Sequence, residues 1–178
     1  NDNMVVLVTA KDGNIFNKQA LQAIDEITTL GWKSPFASRV DSLTNFNVVE
    51  SEADNIIVEP VLENPANKSD ALLLKGKEAI LNSPELKGYL VSQNGRSSMV
   101  LITFQLPENP TVEINQISQH VHQAVDQIAP KYPQVEFHVT GTVEASSSFT
   151  DAMLKDMALL LPIGYGLMVF ALTFLLRS

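Results

Sequence analysis

Three groups of side chains in this 178-residue sequence have the types and spacing that invite chemistry. His120 and His122 stand two apart in a stretch of helical periodicity, which sets them about 200° apart around the axis. Two histidines that share a metal on one helix sit four apart and need further ligands; with His138 on the polar face of a predicted strand and no cysteine anywhere, the histidines read as solvated. Glu50, Glu52 and Asp54 alternate in an acidic turn, but a calcium loop also needs a glycine and a closing bidentate Glu at a set distance. A charged turn that guards a strand edge is what remains. Ser146, Ser147 and Ser148 lack the Gly-x-Ser-x-Gly elbow of a nucleophile. With no phosphate loop and no dinucleotide fingerprint, the residues offer no catalytic set, no metal site and no cofactor site. Trp32, Phe36 and Phe46 flank a predicted strand and could give apolar walls to a hydrophobic ligand. Packing beneath a loop is the plainer fate of such aromatics.

The C-terminal stretch is different in kind, because no residue from Met157 to Leu176 carries a charge. About 20 residues at about 1.5 Å rise reach about 30 Å, the thickness of a bilayer's hydrocarbon. Apolar side chains cover every face, with Tyr165 and Thr173 the only polar-tipped members, whereas a soluble core helix is shorter and keeps a polar side. Pro162, Gly164 and Gly166 suit a membrane helix, since neighbouring helices re-satisfy freed backbone groups and approach closely at small residues. The run is therefore predicted to cross a lipid bilayer. Lys155 and Asp156 mark its entrance, and Arg177 at its exit leans that end towards the cytoplasm, which puts the preceding domain outside. Twelve Lys and Arg against 20 Asp and Glu, net −8, leave no basic stripe for nucleic acid.

The elements ahead of that run are legible from periodicity. Met4–Ala10 is a continuous β-branched run and reads as a strand buried on both faces. Phe16, Ala20, Ala23, Ile24, Ile27 and Leu30 make one face of a helix, with Gly31 as its stop. Phe36, Ser38, Val40 and Ser42 fall on one face of a second strand. A hairpin is predicted around "ESEAD", pairing Asn47–Glu50 with Asn55–Val61, then a helix over Asp70–Leu81 capped by Ser69. Asn94-Gly95 between two β-rich segments predicts a type I′ hairpin. Ile114, Ile117, Val121, Ala124 or Val125, and Ile128 mark another helix, and Val135, Phe137 and Val139 alternate along a last strand that Gly141 ends. Two βαβ units in tandem predict an α+β, split βαβ (ferredoxin-like) sheet with helices on one side. The domain covers 1–145, and 146–178 is a helix running into the membrane segment.

Three stretches in this order resemble a known family. "MVVLVTAKDGNIFNKQALQAIDEITT", followed at a distance by "RVDSLTN", is similar to the opening of the extracytoplasmic loop in transporters of the resistance-nodulation-division superfamily, in particular the lipid-exporter branch of large mycobacterial membrane proteins and hopanoid exporters. "VTGTVEASSSFTDAMLKDMALLLPI" resembles the segment where that loop feeds the second membrane helix. The resemblance implies a periplasmic porter domain between the first and second membrane helices, the first half of the transporter being favoured, in a bacterial inner membrane with residues 1–156 in the periplasm. It implies proton-driven export of hydrophobic or lipid-like substrates, with the remaining membrane helices and a second porter domain as partners. The family's proton-carrying carboxylates lie in later helices, and Met157–Leu176 holds no Asp or Glu. On this reading the stretch from about Ser146 to Leu176 is one helix, unbroken through Asp156, a lever between sheet and lipid. The rival reading is a membrane-tethered extracytoplasmic sensor or ligand-binding domain; an enzyme ranks third.

Overall fold

Alternation of apolar residues along three strands supplies one wall of the core. The computed structural model describes residues 2–52, 55–60, 62–84 and 86–177, with 48–52 and 55–59 as backbone alone. The order is β1 (Asp2–Ala10), α1 (Lys18–Trp32), β2 (Ala37–Asp41), β3 (Asn47–Glu52), β4 (Asn55–Pro60), α2 (Asp70–Asn82), β5 (Ser97–Phe104), α3 (Thr111–Ile128), β6 (Val135–Thr140) and α4 (Thr142–Leu176). The chain divides into two units, Asn1–Glu144 and Ala145–Ser178.

In the first unit four strands form one sheet in the order β2-β5-β1-β6, every neighbouring pair antiparallel. Each βαβ crossover skips one strand, which is the split βαβ topology predicted from the sequence. Strands β3 and β4 make a separate two-stranded hairpin, as predicted. Its two closing residues, Asp54 among them, and the final predicted position, Val61, lie outside the described residues.

The core lies between one face of the sheet and the helices. Met4, Val6, Val8 and Ala10 of β1 and Val100, Ile102 and Phe104 of β5 meet Ala20, Ile24 and Ile27 of α1 and Ile117, Val121 and Ile128 of α3. Each large member buried fully contributes about 1.5–3 kcal/mol. The other face of β1 is open: Leu7 is 37% exposed, so the strand is buried on one face and not on two. A continuous β-branched run suits either environment, and both helical layers went to the same side.

Local chemistry explains the boundaries. Asp12 accepts from the Asn14 amide and from Asn17 Nδ2, and Asn17 caps α1 by accepting from the Ala20 amide at 2.7 Å. That cap starts the helix at Lys18 rather than at Phe16. Gly31 does not stop α1, which continues to Trp32. Its role is clearance, since a Cβ there would lie 3.1 Å from Ile102 Cδ1 and 3.4 Å from Val40 Cγ1. Ser69 is the N-cap of α2 by position, without a side-chain capping bond.

The predicted Asn94-Gly95 hairpin does not form two full strands. Gly95 has φ +65° but Asn94 does not enter the positive region, so this is a turn closed by Gly95 N–H to the Ser92 carbonyl, with glycine in the left-handed position after it. Val91 bridges Ser98 and the Met99 amide donates to Leu90, and there the pairing ends. The reason is occupancy: β2 already holds the same edge of β5 from Leu101 to Phe104.

A polar clasp joins α1 to the turn before β6. Glu26 accepts from Lys131 Nζ and from Tyr132 Oη, each at 2.8 Å. Burial alone would raise the Glu26 carboxyl, but the two donors hold it below its ordinary value. Burial first, then the bond to Glu26, pushes the Tyr132 phenol from 10.0 up to about 12. A folded value above the unfolded one means stability present below pH 10.0 and lost as pH climbs through about 12. The loss of melting temperature across that window should be smaller in Tyr132→Phe than in the parent chain, and equal slopes in a pH series of thermal melts would refute the assignment.

Candidate functional site

The "SLTN" turn after β2 is where the sequence builds a cleft. Asn45 Nδ2 donates to the Val40 carbonyl at 2.6 Å while its Oδ1 accepts from the Ser42 amide at 2.9 Å, closing the turn on itself. Thr28 on α1 donates to the Ser42 hydroxyl at 2.8 Å, and Ser42 and Thr44 lie 3.1 Å apart. All three hydroxyl residues are buried, and Leu43 between them is fully so. Buried hydroxyls need partners, so this network ties the turn to α1.

Beside it lies a cleft of about 390 Å³, with Trp32, Val40, Phe46 and Leu90 as apolar walls and Arg39, Asp41, Ser42, Asn45 and Asn47 as polar ones. Arg39 and Asp41 pair across two residues at 2.8 Å. Trp32 is 52% exposed, while Phe46 packs against the core. Phe36 is not part of the cleft. It precedes β2 with φ +61°, its carbonyl accepting from Gln105, and a register shift between Ala37 and Arg39 breaks the alternation predicted from Phe36 to Ser42. The structure thus brings together two of the three aromatics, in a lining more polar than the sequence suggested.

The other sequence candidates are scattered. His138 is exposed on β6, and His122 Nε2 lies 3.1 Å from Glu144 Oε1. His120 departs from the solvated reading, since its Nε2 is buried with no hydrogen-bond partner among the described residues. Glu50 and Glu52 lie on β3, in register with Ile57 and Asn55. Among the described residues no three His, Cys, Asp or Glu side chains gather as a metal site would require.

The second unit is helix alone. α4 is one helix from Thr142 to Leu176, unbroken through Asp156 and with Pro162 inside it. Residues 151–177 are all exposed, and it is the one helix among the described residues long and apolar enough to cross a membrane. Met157, Leu176 and the apolar residues between them would form an uncovered surface far beyond what a monomer keeps in water. Gly164 and Gly166 have nothing within 4 Å of a would-be Cβ and, two apart, face nearly opposite sides of the helix, so each leaves room for close approach on its own side. Thr173 returns its hydroxyl to the Val169 carbonyl at 2.7 Å, so its polar group is satisfied within the helix.

The sequence profile of the MMPL family matches residues 1–178, the whole chain. The chain belongs to the MMPL family. Among curated proteins none matches it. Membership places this chain in the resistance-nodulation-division superfamily, whose members are membrane transporters and not enzymes, and makes it a membrane protein with a transporter-type function.

One part of this MMPL chain escaped the sequence reading. Ser118 on α3 donates to Glu144 Oε2 at 2.8 Å, next to the His122 contact. The Asn3 amide donates to Thr142 Oγ1 at 3.0 Å, and the Thr142 amide donates to Asn3 Oδ1. Together they fasten the first turn of α4 to β1 and α3. Glu144 three residues beyond Gly141 is a visible signal of a helix start, but nothing local pairs it with His122.

Proposed function

We propose that this chain is the periplasmic porter domain of a proton-driven exporter of hydrophobic or lipid-like molecules, followed by the membrane helix that leaves it. Residues 1–145 are then the porter domain and 146–178 the lever that carries it into the inner membrane. The observation that supports this best is the combination within one chain: a split βαβ sheet, a helix uncharged from Met157 to Leu176, and a family match over the full length. In this reading the parent's remaining membrane helices and a second porter domain are its partners, and repeated units moving around a site carry the substrate.

The Trp32–Phe46 cleft is the part of the domain that meets the substrate. Trp32 and Phe46 offer aromatic surface, and the Arg39–Asp41 pair and Asn45 give a polar rim. Phe36, outside the cleft, takes no part. The test is export of labelled lipid by the intact protein reconstituted in vesicles with a proton gradient, with and without the Asn1–Asp156 region. Trp32→Ala together with Phe46→Ala should lower the export rate about tenfold or more, while Phe36→Ala leaves it near the parent value. Export that persists without the region, or equal effects of all three substitutions, would remove the cleft from the pathway. A parent sequence continuing into a cytoplasmic signalling domain would favour the sensor reading instead.

A further inference from the structure

We propose that the hollow between Phe16, Lys77 and Lys87 is a binding site for a small organic anion, a phosphate or carboxylate head carrying an apolar group. Two turns make one lip of it. The Ala10 amide donates to the Arg96 carbonyl at 3.0 Å and the Ile15 amide to the Gly95 carbonyl at 2.9 Å, so the turn after β1 and the turn before β5 are stitched side by side. Each carries a glycine at positive φ, Gly13 at +80° and Gly95 at +65°. A Cβ on Gly95 would sit 3.9 Å from the Phe16 ring, which is 7% exposed and forms the floor. Lys77 and Leu81 of α2 form the opposite lip, and the enclosed volume is about 300 Å³.

The charge in this hollow runs against the rest of the molecule. The chain is net −8, yet two ammonium groups line the hollow and no acidic residue does among the described residues. Neither Lys77 nor Lys87 has an ion pair among the described residues, whereas Arg39 and Lys131 each hold a carboxylate at 2.8 Å. Lys77 Nζ stands 5.7 Å from the Phe16 ring centroid, so an aromatic face replaces part of its hydration and leaves its remaining donors for a ligand. Asp70 lines a neighbouring hollow of about 240 Å³ that shares Asn14, Phe16 and Lys77 with the first, and it makes no ion pair with Lys77. Two like charges converging on one hollow repel each other until an anion lies between them. Asn14, Gln93 and Asn94 add neutral donors around the rim, and Phe16 with Leu81 supplies apolar contact for a short chain. A volume of about 300 Å³ is at the small end of ligand sites and admits a headgroup with a few carbons, not a whole lipid. Among the described residues the hollow shares no lining residue with the Trp32–Phe46 cleft, so it stands whether or not that cleft carries substrate.

Calorimetric titration of the full chain in neutral-detergent micelles tests this with hexyl phosphate, inorganic phosphate and hexanol. Hexyl phosphate is expected to bind, more weakly as salt rises, and hexanol is not. Lys77→Gln and Lys87→Gln should each weaken hexyl phosphate about fivefold or more, and Lys33→Gln, which removes an equal charge elsewhere, should not. Lys87 is exposed, so its variant keeps the fold even if Lys77→Gln does not. Inorganic phosphate binding about tenfold more weakly than hexyl phosphate supports an anionic head carrying an apolar group, whereas inorganic phosphate binding as tightly would overturn the apolar half of the assignment. Hexanol binding as well as hexyl phosphate, no binding by any probe, or a Lys87→Gln variant that titrates like the parent would overturn the proposal.

Discussion

Gly141→Val should cost this protein about 3 kcal/mol or more of folding stability, among the largest effects of any single substitution outside the core. Gly141 has φ +119°, a conformation that costs a β-branched residue about 1–3 kcal/mol by itself. A Cβ there would stand 2.6 Å from the Asn3 carbonyl oxygen and 2.8 Å from Met4 Cα. Those atoms belong to β1, which is hydrogen-bonded to β5 on one side and β6 on the other, so the backbone has no room to retreat. The contact also sits beside the bonds between Asn3 and Thr142, so displacing it loosens the first turn of α4. Gly88→Ala is the control: φ is +89° with nothing within 4 Å of the new atom, which isolates the backbone strain at about 1–2 kcal/mol. Urea unfolding in neutral detergent separates the two. A Gly141→Val midpoint no lower than that of Gly88→Ala would show that the close approach to β1 carries no energetic weight.

Two arginines at the middle of α4, Leu167→Arg with Phe170→Arg, should move the chain out of the membrane. Each central arginine raises the apparent insertion free energy by about 2.5–3.5 kcal/mol, and each lost apolar residue forfeits roughly 0.5 more. Leu167 is 65% and Phe170 71% exposed, so neither substitution disturbs the fold of the sheet domain by unpacking a core. Alkaline extraction of membranes reads the outcome: the parent chain should stay in the pellet and the double variant should be released in large part. Complete retention of the double variant would mean that something other than the Met157–Leu176 run holds this chain to lipid. The same substitutions made as Leu167→Ala and Phe170→Ala should leave partitioning unchanged, because the run keeps enough apolar length.

Much of the fold was legible because it depends on periodicity. The stripe through Ala20, Ala23, Ile24 and Ile27, the stripe through Ile117, Val121 and Ile128, and the alternation Val135-Phe137-Val139 each name a face one residue at a time, and each face is where the sheet domain packs. The errors fell where a distant partner decided the outcome. Gly31 reads as a helix stop in isolation, but Ile102 and Val40 approach it from β5 and β2 and make it a clearance residue inside the helix. Asn94-Gly95 reads as a two-strand hairpin, but β2 already holds most of the strand edge that the hairpin needed. Phe36 reads as a strand residue in line with Val40, and a bulge after Ala37 removes it from that line and from the cleft.

An apolar run long enough to cross a bilayer, the split βαβ order and the family likeness could all be read along the chain, because length, charge and spacing are properties that no contact can change. Tertiary structure alone decided which aromatics share a cleft, that Lys77 stands over Phe16 beside Lys87, and that Glu144 anchors the start of α4 through Ser118 and His122. Partners in this fold lie far apart along the chain: 14 residues separate Thr28 from Ser42, 26 separate Ser118 from Glu144, and 139 separate Asn3 from Thr142. Contacts over such separations follow from how the sheet brings its strands together, and no local pattern of side chains encodes them.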